Sequence, residues 1–237
     1  MPKPENQMKL HIAVITTYPP GKGSLNEYAY HFIRSLRKKE EVTKLTLLAD
    51  ELQAGESYPA AHQETHSTAD SDSDEPNVWQ APMQILPCWR FNGLANFWNI
   101  WRAVRNSKPD VVLFNIQFAS FGDSKVPGAL GLLTPVLLRL SGVPTVVLLH
   151  NIMETVDLKS AGFAQNPLIE RVIRFMGWAI TNFILQANLV AVTIPKYVEI
   201  LEKKYGARNV LLAPHGAFEQ QAADPSFELP QGPLQIM

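Results

Sequence analysis

Cysteine and long apolar runs are both scarce in this sequence. The single cysteine, Cys88, excludes an internal disulfide framework and any zinc site built from several thiolates. One apolar stretch free of charge, from Val126 to Leu138, is broken by glycine and proline and ends at Arg139. It falls short of the roughly 20 residues that a membrane-spanning helix needs. We therefore expect a soluble cytoplasmic protein, with no metal and no cofactor.

The chain also lacks an excess of charge of either sign. It has 21 basic and 22 acidic residues among 237, a net charge of −1, which argues against a nucleic-acid partner. Charged residues make up 18% and hydrophobic residues 46%, so a chain of this length can bury a large core. The apolar run Leu10 to Ile15 is too short for a signal-peptide core.

Short β-branched runs alternate with segments of helical period along most of the chain. Strands are predicted at 10–15, 42–49, 83–87, 111–114, 145–149, 189–193 and 210–213, and helices at 25–36, 93–107, 128–140, 167–186 and 195–205. Strands that alternate with helices form a parallel sheet covered on both faces. The predicted fold is α/β, a doubly wound Rossmann-like sheet.

The composition divides the chain into three parts. Residues 1–216 are predicted to form the Rossmann-like domain, with a polar, acidic surface insertion at 51–77. Residues 217–233 have the composition of a linker. The apolar residues 234–237 resemble the start of a further strand, so we expect a second domain to begin there.

Ligands of an open parallel sheet bind outside the carboxyl ends of its strands. Four segments follow such ends: 16–26, 115–117, 150–151 and 214–216. The first holds Gly21 and Gly23 before a helix, where backbone N–H groups and the helix dipole favour a phosphate. Ser24 and Glu27 have the spacing of a capping box. A plain strand-to-helix turn explains the glycines equally well, and the dinucleotide fingerprint fails because Asn26 stands at its third glycine.

Histidines and one apolar helix are further candidates, each with a structural alternative. His150 ends an apolar strand, where a capping or packing role is the commoner one. His62 and His66 have metal-like spacing but lie in the polar insertion, and we assign them no metal. The helix around Arg171 and Arg174 is expected to pack in the core, with a membrane-surface face as the minority interpretation.

Four segments, in order, resemble the N-terminal half of GT-B glycosyltransferases of the retaining family-4 type. They are the loop and helix 18–28, the strand 108–114, the strand 144–151 that ends in His150, and the run from 189 to 216 that ends in Pro-His-Gly. The resemblance implies one half of a GT-B fold and transfer of a sugar from a nucleotide-diphosphate sugar to a sugar, polysaccharide or lipid-linked acceptor. It also implies a peripheral membrane contact and a donor-binding C-terminal domain that this sequence does not include, so that the chain is inactive alone.

The resemblance also implies roles for single residues. His150 would be catalytic, contacting hydroxyl groups of the donor sugar, while Gly21 and Gly23 would approach the donor diphosphate or the acceptor. Ser24 departs from the family, which commonly has a second glycine there. The other substrate-binding residues implied are Tyr18, Lys22, Ser24, Asn151, His215 and Gly216. Two alternatives stay open: a non-catalytic Rossmann-like binding module, and a nucleotide-dependent oxidoreductase, which Asn26 disfavours.

Overall fold

The computed structural model describes residues 9–21, 23–58, 79–152 and 167–216. Within these ranges, strands and helices alternate as the sequence pattern predicts. The strands are β1 (Leu10–Ile15), β2 (Val42–Asp50), β3 (Met83–Trp89), β4 (Val111–Ile116), β5 (Thr145–Leu149), β6 (Leu189–Val192) and β7 (Val210–Leu212). The helices are α1 (Asn26–Arg37), α2 (Asn96–Ser107), α3 (Lys125–Leu132), α4 (Thr134–Leu140), α5 (Pro167–Ile184) and α6 (Pro195–Tyr205).

The strands form one parallel sheet in the order β3-β2-β1-β4-β5-β6-β7. All six neighbouring pairs are parallel, and at the centre Ile15 of β1 lies opposite Leu48 of β2 and Phe114 of β4. The strand order reverses between β1 and β4, which is the topological switch point of a doubly wound sheet. The predicted fold class is therefore confirmed.

Alternate residues of each central strand enter two separate cores. Ala13 and Ile15 of β1 belong to the core that also contains residues of α2, α3, α4 and α6, while Ile12 and Val14 belong to the core beneath α1. Successive side chains of a strand point to opposite faces, so a strand that is apolar at every position is buried on both. This explains the continuous apolar runs in the sequence.

Two local predictions are wrong. The single helix predicted at 128–140 is two helices, α3 and α4, separated at Leu133. Pro135 lies in the first turn of α4, where proline is favoured because its missing N–H is not needed. The capping box at Ser24 and Glu27 does not form either: α1 begins at Asn26, and no side chain caps it.

Helix α5 carries apolar side chains on its surface. Val172, Phe175 and Trp178 are exposed, and the rings of Phe175 and Trp178 stack with centroids 5.7 Å apart. Core packing of the segment around Arg171 and Arg174 was therefore the wrong expectation; among the α5 side chains that the structure describes, those that enter the core lie toward the C-terminal end, around Ile184. In the described ranges, no helix is long and apolar enough to span a bilayer.

Candidate functional site

The loops after β1, β4, β5 and β7 lie at the same edge of the sheet. This follows from the parallel arrangement, because all strands then end on one side. The predicted residues Gly21, Gly23, His150 and His215 all lie in these loops. Lys22 and the segments 217–233 and 234–237 are outside the described residues, and so are His62 and His66.

The loop between β1 and α1 folds closely on itself. The Gly21 N–H donates to the Tyr18 carbonyl at 2.9 Å, and the Asn26 side-chain amide donates to the Gly21 carbonyl. A Cβ atom at Gly23 would lie 2.3 Å from the Thr17 side chain, so only glycine fits there without a shift of the loop. The glycine at 23 therefore allows a backbone approach within the protein itself.

Ser24 and Tyr18 have roles in the structure that the sequence does not reveal. The side-chain amide of Gln117, just after β4, donates to Oγ of Ser24 at 2.5 Å. This bond connects the loop after β1 to the loop after β4. Tyr18 is 8% exposed and packs in the core beneath α1, with its ring centroid 6.2 Å from that of Tyr30. Tyr18 thus faces the core, and it is not among the residues that line the cleft described next.

A cleft of about 590 Å³ opens beside this loop. Its walls come from the segments that follow β1, β2, β3 and β4, so it lies at the carboxyl edge on the β2–β3 side of the switch point. Gly21, Gly23 and Ser24 line it, whereas His150 and His215 do not. Its lining is mixed, with the aromatic residues Trp89 and Phe91 and the polar residues Asp50, Glu51, Gln53, Glu56, Arg90 and Gln117.

Two acidic residues of the cleft differ in their surroundings. Glu51 pairs with Arg90 at 2.5 Å on the exposed rim. Asp50 accepts a hydrogen bond from the Tyr58 hydroxyl at 3.0 Å. Burial raises the pKa of Asp50, and the bonds from Tyr58 and from the Tyr18 backbone partly oppose that rise. Burial also raises the pKa of the Tyr58 hydroxyl, with the Asp50 charge as a second cause, so Tyr58 remains a proton donor to the carboxylate.

A buried chain of hydrogen bonds joins β1, β4 and β5 at the other side of the switch point. The Thr16 hydroxyl donates to the Thr17 carbonyl at 3.1 Å, and the side-chain amide of Asn115 donates to Oγ1 of Thr16 at 3.0 Å. Oδ1 of Asn115 lies 2.6 Å from Nε2 of His150. Thr16 and Asn115 are 1% and 0% exposed, so the chain connects a buried interior to the ring of His150.

The rings of Tyr28, His150 and His215 pack against one another. The Tyr28 ring, on α1, stands edge-on to His150 at 4.7 Å and to His215 at 5.1 Å. The two imidazoles stack with centroids 5.2 Å apart. Burial and the neighbouring His215 lower the pKa of His150 to about 4. His150 is therefore a neutral imidazole near pH 7 and can exchange hydrogen bonds with a ligand.

The last two predicted residues have simpler surroundings. Oδ1 of Asn151 accepts a hydrogen bond from the Phe118 N–H at 3.1 Å, which joins the loops after β4 and β5. Gly216 is exposed at the end of the described range, and a Cβ atom there would meet nothing within 4 Å.

Among the described predicted residues, a cleft group consists of Gly21, Gly23 and Ser24, and a histidine group consists of His150 and His215. Tyr18, Asn151 and Gly216 belong to neither group. Sequence reasoning placed Thr16 and Asn115 in the segments that follow strand ends but assigned neither of them a role, and it missed Asp50 and the ring contacts of Tyr28. A role for Asn115 could have been suspected, because a polar residue at the end of an apolar strand is unusual; the contacts of Tyr28 depend on how α1 lies over the edge. Across the described ranges, no three His, Cys, Asp or Glu side chains cluster so as to hold a metal ion.

Comparison with known proteins finds similarity at the level of solved structures. No family model matches the sequence, and no curated protein matches it. The chain is similar to the glycotransferase of kitacinnamycin, with 13% identity over 94% of this chain and 56% of that chain and a TM-score of 0.48. It is also similar to a UDP-glucosyltransferase from Polygonum tinctorium (10% identity, 94% of this chain, 55% of that chain, TM-score 0.47). A third similar structure is UGT2 of Phytolacca americana, with 11% identity over 89% of this chain and 53% of that chain and a TM-score of 0.48. The chain spans about half the length of these structures, and likeness at such identities and TM-scores does not transfer a function.

Proposed function

We propose that this chain is the acceptor-side half of a glycosyltransferase, which transfers a sugar from a nucleotide-diphosphate sugar to an acceptor. The observation that carries the proposal is the carboxyl edge of the sheet. A cleft, a glycine loop at a helix N-terminus and a neutral histidine lie together there, beside the switch point. The four sequence segments that resemble the family each begin or end at or next to this edge.

The chemistry of the edge suits a sugar and its phosphates. The N–H groups in the first turn of α1 have no side-chain cap, which favours an anion such as a diphosphate. In the cleft, Phe91, which is 54% exposed, offers apolar surface for a sugar ring, and Asp50 and Gln117 offer hydrogen bonds for its hydroxyl groups. We therefore assign the acceptor to the cleft and the donor to the histidine side.

Finer features of the proposal rest on the sequence resemblance. They are the retaining, family-4-type reaction and the donor-binding groups on a second domain. The domain boundary at 216 rests on composition. A cytoplasmic location also belongs to the proposal. The exposed aromatic residues of α5 are the candidate for a peripheral membrane contact.

Binding to the chain tests this proposal. A ¹⁵N-labelled protein is titrated with UDP-, GDP- and ADP-sugars and, separately, with simple glycosides, and its amide signals are followed by NMR. We expect shifts at 16–25, 50–56, 89–91, 117–120, 150–152 and 215–216 only. Amides at the opposite edge, such as those of His11 and Asp110, are the internal control. Saturable shifts at that opposite edge, or none at the carboxyl edge with any compound, contradict the proposal.

Turnover tests the assigned role of His150. In an enzyme with both halves, His150→Ala is expected to lower kcat about 100-fold, or about 2.7 kcal/mol, because positive charge grows on the sugar in the transition state and a contact there gains strength. The variant's melting curve provides the control for folding. An unchanged kcat in a folded variant contradicts the role.

A further inference from the structure

We infer that Asn115 and Thr16 are positioning residues, which hold the His150 proton on Nε2 so that Nδ1 meets the substrate as a hydrogen-bond acceptor. The contact between Nδ1 and the substrate rests on the proposed function. The positions of the proton and of the ring rest on the hydrogen-bond chain alone.

The direction of the chain is set at its buried end. A backbone carbonyl can only accept a hydrogen bond, so the Thr16 hydroxyl donates its single proton to the Thr17 carbonyl. Oγ1 of Thr16 must then accept from the amide of Asn115, which leaves the carbonyl oxygen of Asn115 facing His150 at 2.6 Å. An oxygen acceptor requires a proton on Nε2, and a neutral imidazole has only one, so Nδ1 carries a lone pair.

The reverse arrangement of the chain leaves a buried group unsatisfied. If the Asn115 amide were turned to donate to His150, the Thr16 hydroxyl would have to donate to Asn115. The Thr17 carbonyl would lose that bond, and an unmade bond at a buried polar group costs about 1–3 kcal/mol. Thr16 is thus needed to orient Asn115, and Asn115 to orient His150.

The groups in contact with the ring offer no negative charge that would stabilise a second proton. Tyr28 from α1 and His215 after β7 are the titratable groups in ring contact with His150 among the described residues. Neither is a carboxylate, and Asn115 on β4 carries no charge. A neutral ring with an accepting Nδ1 can take a hydrogen bond from a sugar hydroxyl, but it cannot serve as a general acid.

NMR of the 237-residue chain with ¹⁵N-labelled histidine reads the tautomer directly. Long-range ¹H–¹⁵N correlations distinguish Nε2–H from Nδ1–H, and a His150→Gln sample identifies the signal. We expect Nε2–H for the unaltered chain and for Thr16→Ser, which keeps the hydroxyl. Asn115→Leu and Thr16→Val are expected to give a mixture of both tautomers. Asn115→Asp should restore Nε2–H and raise the pKa of His150, because a carboxylate stabilises the imidazolium.

Thr145→Val is the matched control. Thr145 is also fully buried and its hydroxyl also donates to a backbone carbonyl, at the far end of β5 from His150. The Thr145→Val variant should lose about as much stability as Thr16→Val and leave the His150 signal unchanged. Nδ1–H in the unaltered chain, or a fixed Nε2–H in both Asn115→Leu and Thr16→Val, overturns the inference. If Asn115→Leu fails to fold, Thr16→Val alone decides. The nucleotide-sugar titration does not depend on which nitrogen of His150 carries the proton. If no nucleotide sugar binds, only the contact between Nδ1 and the substrate is overturned.

Discussion

At the scale of single residues, two half-buried histidines have neutral hydrogen-bond partners. His150 contacts Asn115, and His11, at the opposite end of the sheet, has its Nε2 2.8 Å from Oγ1 of Thr46. Burial is the largest cause that lowers the pKa of each. An amide or hydroxyl oxygen satisfies an imidazole but offers too little charge to offset the loss of water. The carboxyl edge therefore contains an uncharged histidine at physiological pH.

The lowered pKa of His150 predicts a loss of stability in acid. The folded ring binds a proton only near pH 4, whereas the unfolded ring binds one near 6.5, so stability falls as the pH drops from about 6.5 towards 4. The loss should be about 1–2 kcal/mol by pH 4.5, since partial exposure of the ring to water reduces the effect. Urea unfolding at pH 7 and 4.5 measures it. His150→Gln should show a smaller pH dependence than the unaltered chain.

Cys88 is predicted to be unreactive in the folded chain. Burial in β3, with the Glu51 charge as a second cause, raises the pKa of the thiol to about 12, and the thiolate is the reactive form. Alkylation by iodoacetamide at pH 8 should be at least 100-fold slower in the native chain than in guanidinium chloride. Glu51→Gln, which removes the lesser cause, should change the native rate only slightly. A native rate close to the denatured one would contradict the assigned burial.

At the scale of elements, local signals succeed wherever no distant group competes. The bounds of β1, β5 and α6 agree with the sequence prediction, since short apolar runs mark the strands and Pro195 and Gly206 mark the helix ends. Gly206 has φ 65°, the left-handed conformation that glycine favours after a helix. Ser24 was misassigned as a cap because its real partner, Gln117, is 93 positions away, and no local pattern encodes that contact.

The junction of β1 and α1 is predicted to tolerate no side chain at residue 23. In Gly23→Ala the new Cβ would lie 2.3 Å from the Thr17 side chain, so the loop must shift. We expect a loss of about 1–3 kcal/mol, the usual cost of overpacking, together with weaker ligand binding at this edge. Gly216→Ala is the control, because a Cβ there has open space and should change stability by less than about 0.5 kcal/mol. Equal melting temperatures for both variants would contradict the close packing.

At the scale of the whole molecule, the sheet brings distant residues together. Thr16 and Asn115 are 99 positions apart, and Asn115 and His150 are 35 apart, yet they form one chain of bonds. The edge that holds His150, Gly21, Gly23 and His215 could be predicted, because the strand-end rule needs only the order of elements. The separation into a cleft and a histidine group could not, because it depends on strand order, loop paths and ring orientations.

The last prediction is that this chain alone does not catalyse repeated sugar transfer. Its two ligand regions face one edge, and holding both reactants in register is worth on the order of 7–11 kcal/mol in a closed site. In our proposal the second half of that site belongs to another domain. The chain should still unfold cooperatively, because its two cores are formed by its own strands and helices.

The assay combines purified residues 1–237 with UDP-, GDP- and ADP-sugars and an acceptor panel, and counts product per protein molecule. We expect less than one product per chain, even where the NMR titration shows binding, because each ligand is held without its reacting partner in register. Adding His150→Ala to the chain should leave this background unchanged, which separates residual catalysis from spontaneous hydrolysis of the donor. Many products per chain, lost on His150→Ala, would show that the described domain contains a complete active site and would contradict its assignment as one half of an enzyme.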